Sequence, residues 1–347
     1  MKILALQLKR IGDLVLTAPA LAAIKTAYPE AHLTLAAHEG TAALLPAIRP
    51  IDAGIVFGAG RGWTPWQQVL TGGFTHVLDF TGTDRSATAT ALSRAPRRIT
   101  FEWVRKNRVR QLAYTDFIAS SVRENHTLEH YRHLAEPLGL PDSPATEALY
   151  PRDALAVPHA AIAEANRLLA VAGVHGPFVV IHPGTAREEK YWAAERWAEV
   201  VTYLRQKPGL DCVITGGSNP FEQAHLGEIQ KMIASSSGAG AVHSLAGKID
   251  LLTLAAIVSR SSLVLSCDTA VAHLAAAFRR PQVALFGPTN PFHWRPLHAD
   301  SVVLSAAQPD APLAKFTPRM KGAPMDRLST GAIIRATEAL LARTHPE

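Results

Sequence analysis

Residues 263–286 read LVLSCDTAVAHLAAAFRRPQVALF. A short apolar run at 263–266 leads into Cys267-Asp268-Thr269, a helical pattern fills 270–277, and a second apolar run occupies 282–286. Strand, helix and strand in so few residues predict a βαβ unit with parallel strands and a right-handed crossover. Asp268 or Thr269 stands where the helix takes its cap, so the free N–H groups of its first turn can receive an anion.

The same alternation extends outward in both directions. Towards the N-terminus of this half lie helix 160–172, strand 178–182, helix 194–207, strand 211–215, and helices 222–235 and 251–259. The first half repeats the pattern: strand 3–8, helix 14–27 stopped before Pro29, strand 32–36, a short helix at 42–47 and strand 55–57. A helix at 66–70, strand 76–80, helix 86–93, strand 98–101 and a helix over 128–138 ending at Gly139 complete it. Two successive sets of this kind predict an α/β protein of two doubly wound, Rossmann-like domains. The proline-containing, weakly periodic stretch 141–158 reads as the linker. The expected domains are therefore 1–158 and 159–325, with 326–347 a C-terminal helix that packs back on the first domain.

Composition narrows the class. The chain has 347 residues, 48% of them hydrophobic and 18% charged, with a net charge of +6. That excludes a disordered chain. Cys212 and Cys267 each lie in an apolar strand-like run, as buried reduced thiols do, and not in a disulfide framework. Lys9, Arg10 and Asp13 interrupt the apolar N-terminus, which argues against a signal peptide, and no uncharged run is long enough to span a bilayer. A cytoplasmic protein is expected.

Ligands of open parallel sheets bind beyond the carboxyl ends of the strands, and four such junctions carry suitable residues. Ile11-Gly12-Asp13 follows the first strand, with Gly12 expected to turn the chain and Asp13 near a helix start, as a cap or a functional carboxylate. His182-Pro183-Gly184-Thr185, with Arg187, Lys190 and Trp192 behind it, offers N–H groups, a hydroxyl and a cation to a phosphate. Gly216-Gly217-Ser218, with Glu222 opening the next helix, allows close backbone approach or makes an ordinary turn. The fourth junction is Asp268-Thr269, with His273 one helical turn on from Thr269.

Several alternatives lack their motifs: no GxGxxG follows a strand, and neither GxSxG nor CxxC occurs. His126-Thr127-Leu128-Glu129-His130 matches the HxxEH pattern of inverted zinc peptidases. It also suits a polar helix face continued by His133, and no metal site is expected there.

Taken in order, these segments resemble glycosyltransferase family 9, the heptosyltransferases of lipopolysaccharide core assembly. The resemblance runs through ILALQLKRIGDLVLTAPALAAIKTAYP (3–29), residues 86–101, residues 129–140 and HPGTAREEKYWAAERWAEV (182–200). It is most specific in SLAGKIDLLTLAAIVSRSSLVLSCDTAVAHLAAAFRRPQVALFGPTNPFHWRP (244–296). It implies the GT-B fold, two Rossmann-like domains facing across a cleft, with the acceptor on the first and a nucleotide sugar, ADP-heptose, on the second. It implies an inverting single displacement with Asp13 as base and Lys190 on the donor phosphates. Thr185, Asp268, Thr269 and His273 match the family's donor-contacting positions, and Glu222 falls where the nucleoside is often met. No cofactor is required, and no DxD-type pair occurs. The family commonly has glycine at Ala270 and proline at Ala193.

The basic excess is concentrated. Arg94, Arg97, Arg98, Arg105, Lys106, Arg108 and Arg110 crowd one stretch against Glu102 alone. In an acceptor domain, Arg97, Arg98, Arg105 and Arg108, with Lys9 and Arg10, would meet an anionic lipid-linked glycan, or the inner face of the inner membrane. The bland alternative is a solvated basic loop. A nucleic-acid partner is not expected, since only Phe101 and Trp103 are interleaved with the cations. A GT-B sugar-nucleotide epimerase and a non-catalytic sugar-nucleotide binder remain as alternative functions.

Overall fold

The computed structural model describes residues 1–140, 150–151, 154–207, 210–235 and 241–344. The chain divides into two units, Met1–Ala156 and Val157–Glu347. Most of the linker expected at 141–158 lies outside the described residues.

The first unit holds β1 (Lys2–Gln7), α1 (Ile11–Ala27), β2 (His32–His38), β3 (Ala53–Phe57), α2 (Thr64–Thr71), β4 (His76–Asp79), α3 (Asp84–Leu92), β5 (Arg97–Phe101), β6 (Asp116–Ile118) and α4 (Thr127–His133). Its six strands are all parallel, in the order β3-β2-β1-β4-β5-β6. β1 is buried at five of its six positions, and α1 carries apolar residues almost all round, so the two bury each other.

The second unit holds α5 (His159–Val171), β7 (Phe178–His182), α6 (Ala194–Leu204), β8 (Asp211–Ile214), α7 (Pro220–Ala234), β9 (Val242–Ser244), α8 (Leu251–Arg260), β10 (Leu263–Cys267), α9 (Ala270–Ala277), β11 (Gln282–Phe286), α10 (Pro291–Trp294), β12 (Ser301–Ser305) and α11 (Thr330–Thr344). Its strands too are all parallel, in the order β12-β11-β10-β7-β8-β9. Counted from the first strand of each unit, both sheets have the Rossmann order 3-2-1-4-5-6. Strand order reverses between β1 and β4 in one and between β7 and β10 in the other.

Three expectations need correction. The helix expected over 128–138 is α4 followed by a 3-10 turn, Glu136–Leu138, because Pro137 has no N–H to continue the α-helix; Gly139, at φ 79°, closes the turn. The segment at 42–47, with Pro46 inside it, is likewise 3-10. The C-terminal helix does not join the first unit's core: Ala332, Ile333, Ala336 and Leu340 of α11 are buried with Trp192, Trp197 and Val201 of the second. No helix among the described residues is long and apolar enough to cross a membrane. Both cysteines are free and buried, and burial pushes each thiol up to about 12.

Candidate active site

In the first unit, Thr81 joins the exits of β1 and β4. Its hydroxyl accepts from the Leu8 N–H (2.9 Å) and donates to the Leu6 carbonyl (3.2 Å). Asp79, fully buried at the end of β4, accepts from the N–H groups of Thr81 (2.8 Å) and Gly82 (3.1 Å) and from the Tyr114 hydroxyl (2.5 Å). The Thr81 bonds tie the β4 exit to the end of β1, the strand that leads into α1.

Asp13 sits in the first turn of α1. Its Oδ2 accepts a long bond from the Arg10 N–H (3.4 Å), while Oδ1 accepts from the Tyr131 hydroxyl at 2.5 Å. The carboxylate therefore contributes to the cap and also has a buried side-chain partner. Tyr131, on α4, is almost wholly buried and meets Phe80 edge-on. Burial, and then the Asp13 charge, hold its phenol well above the usual range, so it remains a hydrogen-bond donor. Lys9 donates to the Phe80 carbonyl (3.2 Å) and lies 5.9 Å from the Tyr131 ring centre. Gly12 does not make the expected turn: it lies within α1 and is not among the glycines with positive φ.

The other expected first-unit residues separate into two groups. Arg97 and Arg98 stand at the amino end of β5, the sheet edge opposite Asp13. The Arg97 guanidinium binds Asp116 and the Pro137 carbonyl, and that of Arg98 binds the carbonyls of Ala95 and Ala113. Their charges satisfy local structure, and the fold does not bring them to Asp13. Arg105 and Arg108 follow the carboxyl end of β5 and are exposed, as is Arg10. The HxxEH residues serve the helix start: His126 Nδ1 accepts from the Leu128 N–H and Glu129 accepts from the His126 N–H. His130 stacks on Phe101, and burial pushes it down to about 3, so it is neutral.

In the second unit, Trp192 and Trp197 are fully buried, and Trp192 donates to the Leu328 carbonyl (3.1 Å). This anchors the 3-10 turn Glu188–Lys190 and directs Lys190 inward. Its Nζ lies 2.6 Å from Asp268 Oδ2, with the two side chains 14% and 9% exposed. The bridge joins the exits of β7 and β10, the strands flanking the order reversal. Thr269 caps α9, its hydroxyl accepting from the Val271 N–H (3.3 Å), and His273 is buried one turn on, 6.5 Å from the Trp294 ring. The Thr185 carbonyl accepts from the Tyr191 hydroxyl (3.0 Å).

Glu222 is buried near the exits of β7 and β8. It accepts from the Gly217 N–H at 2.7 Å, and its carboxyl is raised by burial against the lowering effect of that bond. A Cβ on Gly184 would lie 1.7 Å from Glu222 Oε1, so only glycine leaves the carboxylate room there. Lys190, Asp268, Thr269, Thr185 and Glu222 thus cluster about the carboxyl ends of β7, β8 and β10. A cation, a helix N-terminus with free N–H groups and a buried carboxylate can receive a diphosphate and a polyhydroxylated group.

Tyr131 and the Asp79–Tyr114 pair are absent from the sequence reading. Tyr131 shares apolar helical spacing with Leu128 and Leu134, a pattern that reads as core, and nothing local ties it to a residue 118 positions away.

The chain matches the model described as Glycosyltransferase family 9 (heptosyltransferase) over residues 63–323. It is 25% identical over 295 residues to Lipopolysaccharide heptosyltransferase 3 of Escherichia coli K12, covering 82% of each protein. Its fold is similar to the glycosyl transferase family 9 structure from Veillonella parvula, with a TM-score of 0.80 at 23% identity, covering 99% of this chain and 97% of that one. It is also similar to the E. coli ADP-heptose lps heptosyltransferase II structure, with a TM-score of 0.78 at 19% identity, covering 99% of both chains.

Proposed function

Because the chain belongs to glycosyltransferase family 9, and so is a glycosyltransferase of GT-B fold, we propose that it transfers heptose from ADP-heptose to an anionic lipopolysaccharide inner-core acceptor. The work would be done on the cytoplasmic side of the inner membrane. One observation supports this above the others: each strand-order reversal carries charged side chains of the kind that glycosyl transfer needs. Asp13 stands at one, and the Lys190–Asp268 bridge with the α9 N-terminus at the other.

The reaction is an inverting single displacement. The acceptor hydroxyl oxygen attacks the anomeric carbon, the bond from that carbon to the diphosphate oxygen breaks, and ADP leaves with the bonding pair. Asp13 takes the hydroxyl proton as the hydroxyl becomes acidic in the transition state. Tyr131 orients Asp13 through Oδ1, leaving Oδ2, held only by a long bond, to face the acceptor. Negative charge grows on the leaving diphosphate, where Lys190 and the N–H groups at the start of α9 oppose it. Asp268 fixes the ammonium and, with His273 and Thr269, faces the sugar; Thr185 meets the phosphates and Glu222 the nucleoside.

A donor screen tests the reading: ADP-heptose, other ADP-sugars, UDP-sugars and GDP-sugars, each with and without heptose-free lipopolysaccharide. Transfer from ADP-heptose alone is expected. Conversion of the donor without acceptor would instead indicate an epimerase, and donor binding without turnover a non-catalytic binder.

A further inference from the structure

We propose that residues 102–113 form an interfacial foot that seats the first unit on an anionic lipid bilayer. The foot consists of two 3-10 segments, Glu102–Lys106 and Arg110–Ala113, leaving the carboxyl end of β5. Its inner side is fixed. Val104, Ala113 and Tyr114 are buried with Ala87, and Arg110 pairs with Asp84 at 2.5 Å while donating to the Gly82 carbonyl.

Its outer side is what a bilayer surface recognises. Val109 is 78% exposed, Leu112 79% and Trp103 40%, three large apolar side chains within ten residues. Arg105, Lys106 and Arg108 are exposed among them, and none makes an ion pair among the described residues; the Arg105 guanidinium lies 4.3 Å from the Phe117 ring centre. Apolar tips flanked by cations fit an anionic headgroup layer: the tips enter the acyl boundary, and the cations stay with the phosphates. A soluble glycan would match the charge but leave Val109 and Leu112 no apolar medium to enter. The foot lies on the same sheet edge as Asp13, the edge at which a lipid-anchored acceptor would be met. The inference deepens the proposed location at the membrane, but vesicle binding is read without any transfer reaction, so either can fail alone.

The test is co-sedimentation of the full-length protein with vesicles of phosphatidylethanolamine containing phosphatidylglycerol, against vesicles of phosphatidylcholine. The expected result is binding to the anionic vesicles that weakens with salt. It should fall about ten-fold or more in both V109S/L112S and R105E/R108E. These side chains are exposed, so unchanged melting curves separate lost binding from lost fold. V171S, which changes an equally exposed residue of the second unit (77%), should bind as the wild type. No binding by the wild type, or undiminished binding by V109S/L112S, would overturn the proposal. Loss in R105E/R108E alone would mean charge adsorption without insertion and would overturn it as well.

Discussion

Tyr131 and Asp13 stand 118 positions apart in the chain and meet through a 2.5 Å hydrogen bond from the phenol to Oδ1. The donor is buried and the acceptor is half-buried at a helix start. The bond ties the carboxylate to α4 through Oδ1, and under the proposed mechanism Tyr131 positions the group that takes the proton. Tyr131→Phe is therefore expected to lower kcat about ten-fold with the donor KM little changed, and to cost roughly 1–3 kcal/mol in urea unfolding. An unchanged kcat, with only stability reduced, would leave Tyr131 a purely structural residue.

The Lys190–Asp268 bridge gives a second expectation. Lys190→Ala removes the cation proposed to oppose charge on the leaving group and strands a mostly buried carboxylate, so kcat should fall by about 100-fold or more. Lys190→Arg should recover only part of it, because a planar fork does not replace a point charge at a short contact. In a double-mutant cycle with Asp268→Ala, steady-state kinetics should give strongly non-additive losses. Additive losses would mean that the bridge plays no joint role.

At Gly184 the effect is steric. Gly184→Ala places a methyl where the Glu222 carboxylate lies, and the flexible glutamate must swing away from the Gly217 N–H. The Kd for ADP should rise about ten-fold while the fold survives, measurable by calorimetric titration of ADP beside a thermal melt. Unaltered ADP affinity would remove Glu222 from the donor site.

The buried histidines predict a pH dependence of stability. His182 is pushed down by burial to about 4 from 6.5, and its Nδ1 lies 2.9 Å from the Thr215 hydroxyl. The unfolded chain takes up this proton first as pH falls, so the stability held by a neutral His182 declines from about pH 6.5 to pH 4 and then levels. His182 contributes roughly 3 kcal/mol to that decline. His130 adds to it in the same direction, chiefly through burial and secondarily through Lys9 and His133. His182→Asn should start less stable at pH 7 yet show a shallower slope across this window in urea unfolding. A slope equal to that of the wild type would contradict a neutral buried His182.

The parts of the fold legible in the sequence were the central ones. β1, β7, β10 and β11 are buried at nearly every position, so their apolar runs announce them. The strands missing from the sequence reading, β6, β9 and β12, are all sheet edges, and two have only three residues (DFI and VHS) of intermediate burial. Edge strands are half-covered and need no continuous apolar run. The site divides similarly. The placement of Asp13, Lys190, Asp268 and Thr269 at strand exits was legible because strand-to-helix junctions are local in sequence. Tyr131 was not, because its role depends on α4 packing against α1. Arg97 and Arg98 misled for the converse reason: clustering in sequence says nothing about which end of a strand carries each charge.

The central claim is that Asp13 is the base of a glycosyl transfer, and the turnover of Asp13→Ala tests it most directly. Transfer from ADP-heptose to heptose-free lipopolysaccharide should fall about 100-fold or more, while the Kd for ADP stays near the wild-type value. Turnover close to wild type, in a variant that still binds ADP, would contradict the assignment.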